Sequence, residues 1–152
     1  MSEPSPDFLD EALMIAPGSR LDELRRARAE ARARTQSSFA ALFEPSDFSA
    51  LSSEERFAAA EAVARVSGAK ALEAKYRARR ERQADDSARR EAILAHAERI
   101  GRAPGEGSRA DLEALAAAGL TPAGIVTLSQ IIAFVAYQAR AAVALQLLGG
   151  QA

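Results

Sequence analysis

Residues 124–150, GIVTLSQIIAFVAYQARAAVALQLLGG, are the most apolar stretch of the chain, and they limit the fold more than any other segment. As one helix the run is on the order of 40 Å long, enough to cross a bilayer. Its content argues against that use. Arg140 and the glutamines Gln130, Gln138 and Gln146 lie inside it, and a charge within a span is costly. The segment is read instead as the central helix of a bundle, or as a helix covered by another subunit.

The polar groups of this segment are ordered. Thr127, Gln130, Phe134, Tyr137 and Gln138 fall on one stripe at i, i+3, i+7, i+10 and i+11, with Arg140 about a quarter-turn away. Buried amides and hydroxyls need partners. The stripe therefore predicts either hydrogen bonding between helices or subunits, or one wall of a lined pocket.

Composition removes several functions. The chain has no cysteine, so disulfides, thiolate metal sites and thiol chemistry are excluded. A single histidine, His96, speaks against a zinc site, and no metal or cofactor is expected. The net charge of -1 gives no global case for nucleic acid. The Arg-rich run KYRARRERQADDSARRE is interleaved with acids and reads as a salt-bridged solvated face, without aromatics for base stacking. The cations are nearly all arginine and alanine is abundant, as in GC-rich bacterial coding sequences. The acidic N-terminus carries no basic, apolar leader, so a cytoplasmic protein is expected.

Start and stop signals predict an all-α bundle of about six or seven helices, with residues 1–7 as a disordered tail and 8–150 as one domain. Asp7 is a candidate cap for DFLDEALMIA, which ends at Pro17-Gly18. Ser19 caps one long segment, RLDELRRARAEARARTQSSFAALF. Ser52 and Glu55 fit a capping box ahead of EERFAAAEAVARVSG, and Gly68 breaks that helix. Leu72 and Tyr76 face inward from the next helix; Ile93, Leu94, Ala97 and Ile100 do so from the one after, which stops at Gly101. Ser108 caps a helix packed through Leu112 and Leu115. Thr121 and Pro122 open the last one.

Two segments together resemble a known family. LTPAGIVTLSQIIAFVAYQARAAVALQLLG is similar to the last long helix of carboxymuconolactone decarboxylase-like, or alkylhydroperoxidase D-like, proteins. The matching positions are Leu120, Thr121, Ile125, Gln130, Phe134, Tyr137, Arg140, Leu148 and Gly149. LSSEERFAAAEAVARVSGAKALEAKYRARR resembles the family's central helix pair, and IAPGSRLDELRRARAEARARTQSSFAALFEP its extended N-terminal form, so the likeness covers residues 8–150. The family implies a helical bundle that assembles through these helices, with its site near subunit contacts.

The departures from the family pattern matter more. Aligned at Gly68, Ala69 and Leu72 stand where the family has its two cysteines, Tyr76 stands for the histidine, and Phe57 for the relay glutamate. A thiol peroxidase needs an attacking and a resolving thiol, so that activity is excluded. The resemblance then implies a cysteine-less structural or accessory protein. It would be a homo-oligomer, with a cysteine-bearing homologue as a candidate partner. The alternative is a small-molecule binder or acid-base enzyme, decarboxylase- or isomerase-like, with a pocket at Glu61, Tyr76, Gln130, Phe134, Tyr137 and Arg140. A weaker alternative is a helical nucleic-acid binder. Glu61 is placed toward solvent or into that cleft, with solvent the safer assignment. His96 reads as a boundary residue or a helix-end charge.

Overall fold

The computed structural model describes residues 7–80 and 87–150, and the expected tail lies outside the described residues except for Asp7. Eight α-helices are present among the described residues, with no strand. They are α1 (Phe8–Ala12), α2 (Arg20–Arg26), α3 (Ala29–Phe43), α4 (Ser53–Val66), α5 (Lys70–Ala78), α6 (Ala88–Arg102), α7 (Arg109–Ala117) and α8 (Pro122–Leu148). A short 3₁₀ turn, Pro104–Glu106, joins α6 to α7.

Most expected caps form. Asp7, Ser19, Ser108 and Thr121 accept backbone N–H groups at the starts of their helices, and Ser52 with Glu55 makes the full capping box. Asp7 is thus a buried cap and not part of a tail. The first helix is shorter than expected. The Ile15 N–H reaches Asp10 O and the Met14 N–H reaches Glu11 O, with Met14 at φ +50°. This is the Schellman pattern, here closed by methionine. The same pair of bonds ends α4 at Gly68, whose φ of +72° suits glycine.

The segment expected as one long helix from Arg20 is two. The chain bends at Ala27 and Arg28, and the first turn of α3 has no side-chain cap. Leu24, Ala27 and Ala31 are exposed, so no core contact holds this part of the chain straight.

Helix α4 is the hub and packs on α3, α5, α6 and α8. It is buried on every side from Glu54 to Ala64. Its run of Ala58, Ala59, Ala60, Ala62 and Ala64 presents only methyl groups, so neighbouring helices can approach closely. Gly101 serves the same end. It lies inside α6 and does not stop it; a Cβ there would stand 3.2 Å from Val66 Cγ2 and 3.3 Å from Val63 Cγ1. Leu115 is buried as expected, whereas Leu112 is exposed.

The aromatic side chains concentrate in one place. Phe8, Phe39, Phe43, Phe57, Tyr76 and Phe134 form a contiguous cluster from four helices of the N-terminal half plus α8, with centroid separations from 4.3 to 6.4 Å. Such rings each bury a large apolar area, so this cluster compensates for a core otherwise made of small aliphatics.

Candidate functional site

Phe57, Ala69, Leu72 and Tyr76, the positions that the resemblance assigns to the relay, the thiols and the histidine, are all buried. Phe57 and Tyr76 rings lie 6.4 Å apart within the aromatic cluster. Any catalytic opening at that location is filled with hydrocarbon.

Tyr76 is completely buried, and its hydroxyl donates to Gln138 Oε1 on α8. Burial pushes its phenol well above the ordinary range, so it stays a neutral donor. This contact links α5 to α8 across the core and gives the Tyr76 hydroxyl and the Gln138 carbonyl oxygen their partners. Tyr76 therefore closes on a neighbouring helix and lines no cavity.

The predicted stripe on α8 is split lengthwise. Gln138 faces inward, and Thr127 and Phe134 are half-buried, with the Phe134 ring 6.4 Å from Phe43. Gln130, Tyr137 and Arg140 are exposed. The six candidate pocket residues are thus not brought together. A polar wall at Glu61, Tyr76, Gln130, Phe134, Tyr137 and Arg140 needs Tyr76 and Tyr137 to face one space, and they occupy opposite sides of the core boundary.

Glu61, assigned to solvent from sequence, is buried instead. Arg77 Nε donates to its Oε1 at 2.8 Å and Arg80 Nη1 to its Oε2 at 2.7 Å. Burial pushes the Glu61 carboxyl up, but the hydrogen bonds from Arg80 and Arg77 outweigh it and hold the group below the usual range. Arg80 also grips Glu54 Oε1, which accepts from Arg90 as well. Arg89 pairs with Glu55 and reaches the carbonyls of Ala50 and Gly119. The Arg-rich run is therefore consumed by carboxylates, as expected of a salt-bridged surface; residues 81–86 of it lie outside the described residues. The described arginines pin α4, α5 and α6 together, and each of Arg77, Arg79, Arg80, Arg89 and Arg90 is already engaged by a carboxylate.

Sequence reasoning missed a cleft between α6 and α8. Gly101, Ala136 and Arg140 are common to its two arms, of about 440 Å³ and about 240 Å³. His96 lines the smaller arm and is half-buried; burial lowers its pKa, so it is neutral at pH 7. No carboxylate lines either arm. The one sequence signal was the pairing of Gly101 with an alanine-rich α8, since missing side chains on facing helices leave space. Among the described residues, no three His, Asp or Glu side chains form a group able to hold a metal ion.

The outward side of α8 is bare. Val126, Gln130, Ala133, Tyr137, Arg140, Ala144 and Leu147 alternate at spacings of four and three and are all exposed. By length and composition α8 could cross a bilayer. Only 33% of its most apolar window is buried within the chain. No family model, no curated protein and no solved structure matches this chain.

Proposed function

We propose that this chain is a non-catalytic homo-oligomeric helical subunit, a cysteine-less relative of the alkylhydroperoxidase D-like proteins, in which the outer face of α8 packs on a second copy. The family reading rests on the residue pattern of the last helix and the central helix pair. The assembly reading rests on one observation, the bare face running from Val126 through Tyr137 to Leu147.

The four-three spacing of that face is the seam along which helices pair. The face has no acidic residue and one cation, Arg140, so it can lie on itself with little like-charge conflict. An antiparallel pairing centred between Ala136 and Tyr137 sets each Arg140 against the small Ala133 of the other copy, and each Val126 near the other Leu147. That arrangement is isologous and closes as a dimer. A membrane is a poorer occupant, because Arg140 would lie in the hydrocarbon.

Sedimentation velocity tests the reading. The wild type is expected to sediment as a dimer or a higher closed oligomer, and Tyr137→Glu as a folded monomer. A monomeric wild type at tens of micromolar contradicts it. Tight binding of the wild type to lipid vesicles, with no self-association, would reassign the face to a membrane.

A further inference from the structure

Ion pairing is the rule for the arginines of this protein. Arg25, Arg32, Arg65, Arg77, Arg79, Arg80, Arg89, Arg90 and Arg99 each meet a carboxylate within 3.1 Å. Arg102 and Arg140 make no hydrogen bond or ion pair among the described residues, and both line one arm of the α6/α8 cleft. Arg102 is the last residue of α6 and Arg140 lies in the C-terminal half of α8, so the two cations come from facing helices.

The floor between them is apolar and low. Gly101, Ala136 and Ala139 leave the space open, and Val66, Val143 and Leu147 wall it. The second arm continues past Arg140 over Ile100 and Ile132 toward His96. A volume of about 440 Å³ is of the size that holds a small organic molecule. Guanidinium groups without partners at the rim of an apolar slot complement an anion with a hydrocarbon body, since each can give two parallel N–H bonds to a carboxylate. No carboxylate lines the cleft to compete for these two arginines.

We propose that the α6/α8 cleft binds a small apolar monocarboxylate, its carboxylate held by Arg102 and Arg140 and its chain laid over Gly101, Ala136 and Ala139. The cleft shares Arg140, Ala144 and Leu147 with the outer face, so it lies at the edge of that face and a second copy packed there would compete for Arg140.

Isothermal titration with sodium octanoate, kept below its micelle concentration, tests this directly. Octanamide is the uncharged control. All titrations are repeated in the Val126→Glu background, which charges the outer face far from Arg140, so that loss of self-association and loss of the site are read separately. Saturable binding of one octanoate per chain is expected in the Val126→Glu background, and weaker binding in the wild type, where a second copy covers Arg140. Arg102→Gln and Arg140→Gln should each weaken it on the order of tenfold, and the double variant should abolish it. Both side chains are exposed, so the fold should survive, and circular dichroism checks that. Ala136→Leu should block binding with both charges kept. The proposal is overturned if the double variant binds octanoate like the wild type, if octanamide binds equally well, or if no saturable binding occurs. Binding to phosphatidylglycerol vesicles without binding of free octanoate would also overturn it, and would assign the arginines to a lipid surface.

Discussion

Gln130 and Gln138 share one helix and one predicted stripe, yet they do different things. Gln138 is sealed in the core, where its Oε1 accepts a hydrogen bond from the Tyr76 hydroxyl of α5. Gln130 stands exposed on the outer side, on the same face as Tyr137. The two tyrosines divide the same way: Tyr76 is fully buried and Tyr137 is 49% exposed. The difference teaches that a polar group in an apolar helix takes its role from the element opposite. The inner side of α8 is an interface within the chain, and the outer side is the exposed face for which we propose a second copy as cover.

The largest effect expected from this contrast is at Tyr76. Tyr76→Ala should cost about 3–5 kcal/mol in chemical denaturation, because it opens a cavity at the centre of the aromatic cluster. Tyr76→Phe keeps the ring and leaves Gln138 buried without its donor, for a cost of about 1–3 kcal/mol. Adding Gln138→Met to Tyr76→Phe should return much of that loss. If the double variant is as unstable as Tyr76→Phe alone, the hydroxyl-amide contact is not what joins α5 to α8.

Glu61→Gln comes next, at about 1–2 kcal/mol. It breaks a buried carboxylate away from Arg77 and Arg80, but Arg77 is half in water and its share is screened. The pH dependence follows with a definite sign. The Glu55 and Glu61 carboxyls are held below the ordinary value of 4.5 despite burial. Their stabilisation is present above that value and is lost as pH falls through their lower folded-state values. His96 is shifted below 6.5 by burial, so the unfolded chain takes up its proton first. Stability therefore starts to fall as pH drops below 6.5 and continues downward through the carboxylate range. Urea midpoints measured from pH 8 to pH 3 should decline without an acid-side maximum, and Glu61→Gln should flatten the lower part of that curve. The smallest effect belongs to Tyr137→Phe, within about 0.5 kcal/mol of wild type in the isolated chain. A cost above 1 kcal/mol would mean that Tyr137 has a partner in the monomer, and the contrast between the two tyrosines would fail.

The fold class was legible because its signals are local. The capping serines and Thr121 with Pro122 mark helix ends by side-chain chemistry alone, and the structure has them where they are read. The break at Ala27 and Arg28 was not legible, because nothing in RRARAEARAR distinguishes a straight charged helix from two short ones. Gly101 was misread as a stop because glycine has two uses, a left-handed turn and close approach, and only the facing Val63 and Val66 tell them apart. Glu61 was misread because its partners lie on α5 and beyond it, at distances in sequence that periodicity does not see. At the candidate site, the stripe on α8 was visible but not its division. A helical wheel gives an angle; it does not say which angle meets Tyr76 and which meets nothing.

The most direct test of the bare outer face uses the absence of cysteine, since a single introduced thiol has no competitor. Tyr137→Cys and, as a control on an exposed part of α3, Arg34→Cys are oxidised under mild conditions and run on a non-reducing gel. A second copy seated on α8 near Tyr137 predicts rapid disulfide dimer from Tyr137→Cys and little from Arg34→Cys. Equal, slow cross-linking at both positions would contradict the account, because the outer face of α8 would then have no partner copy.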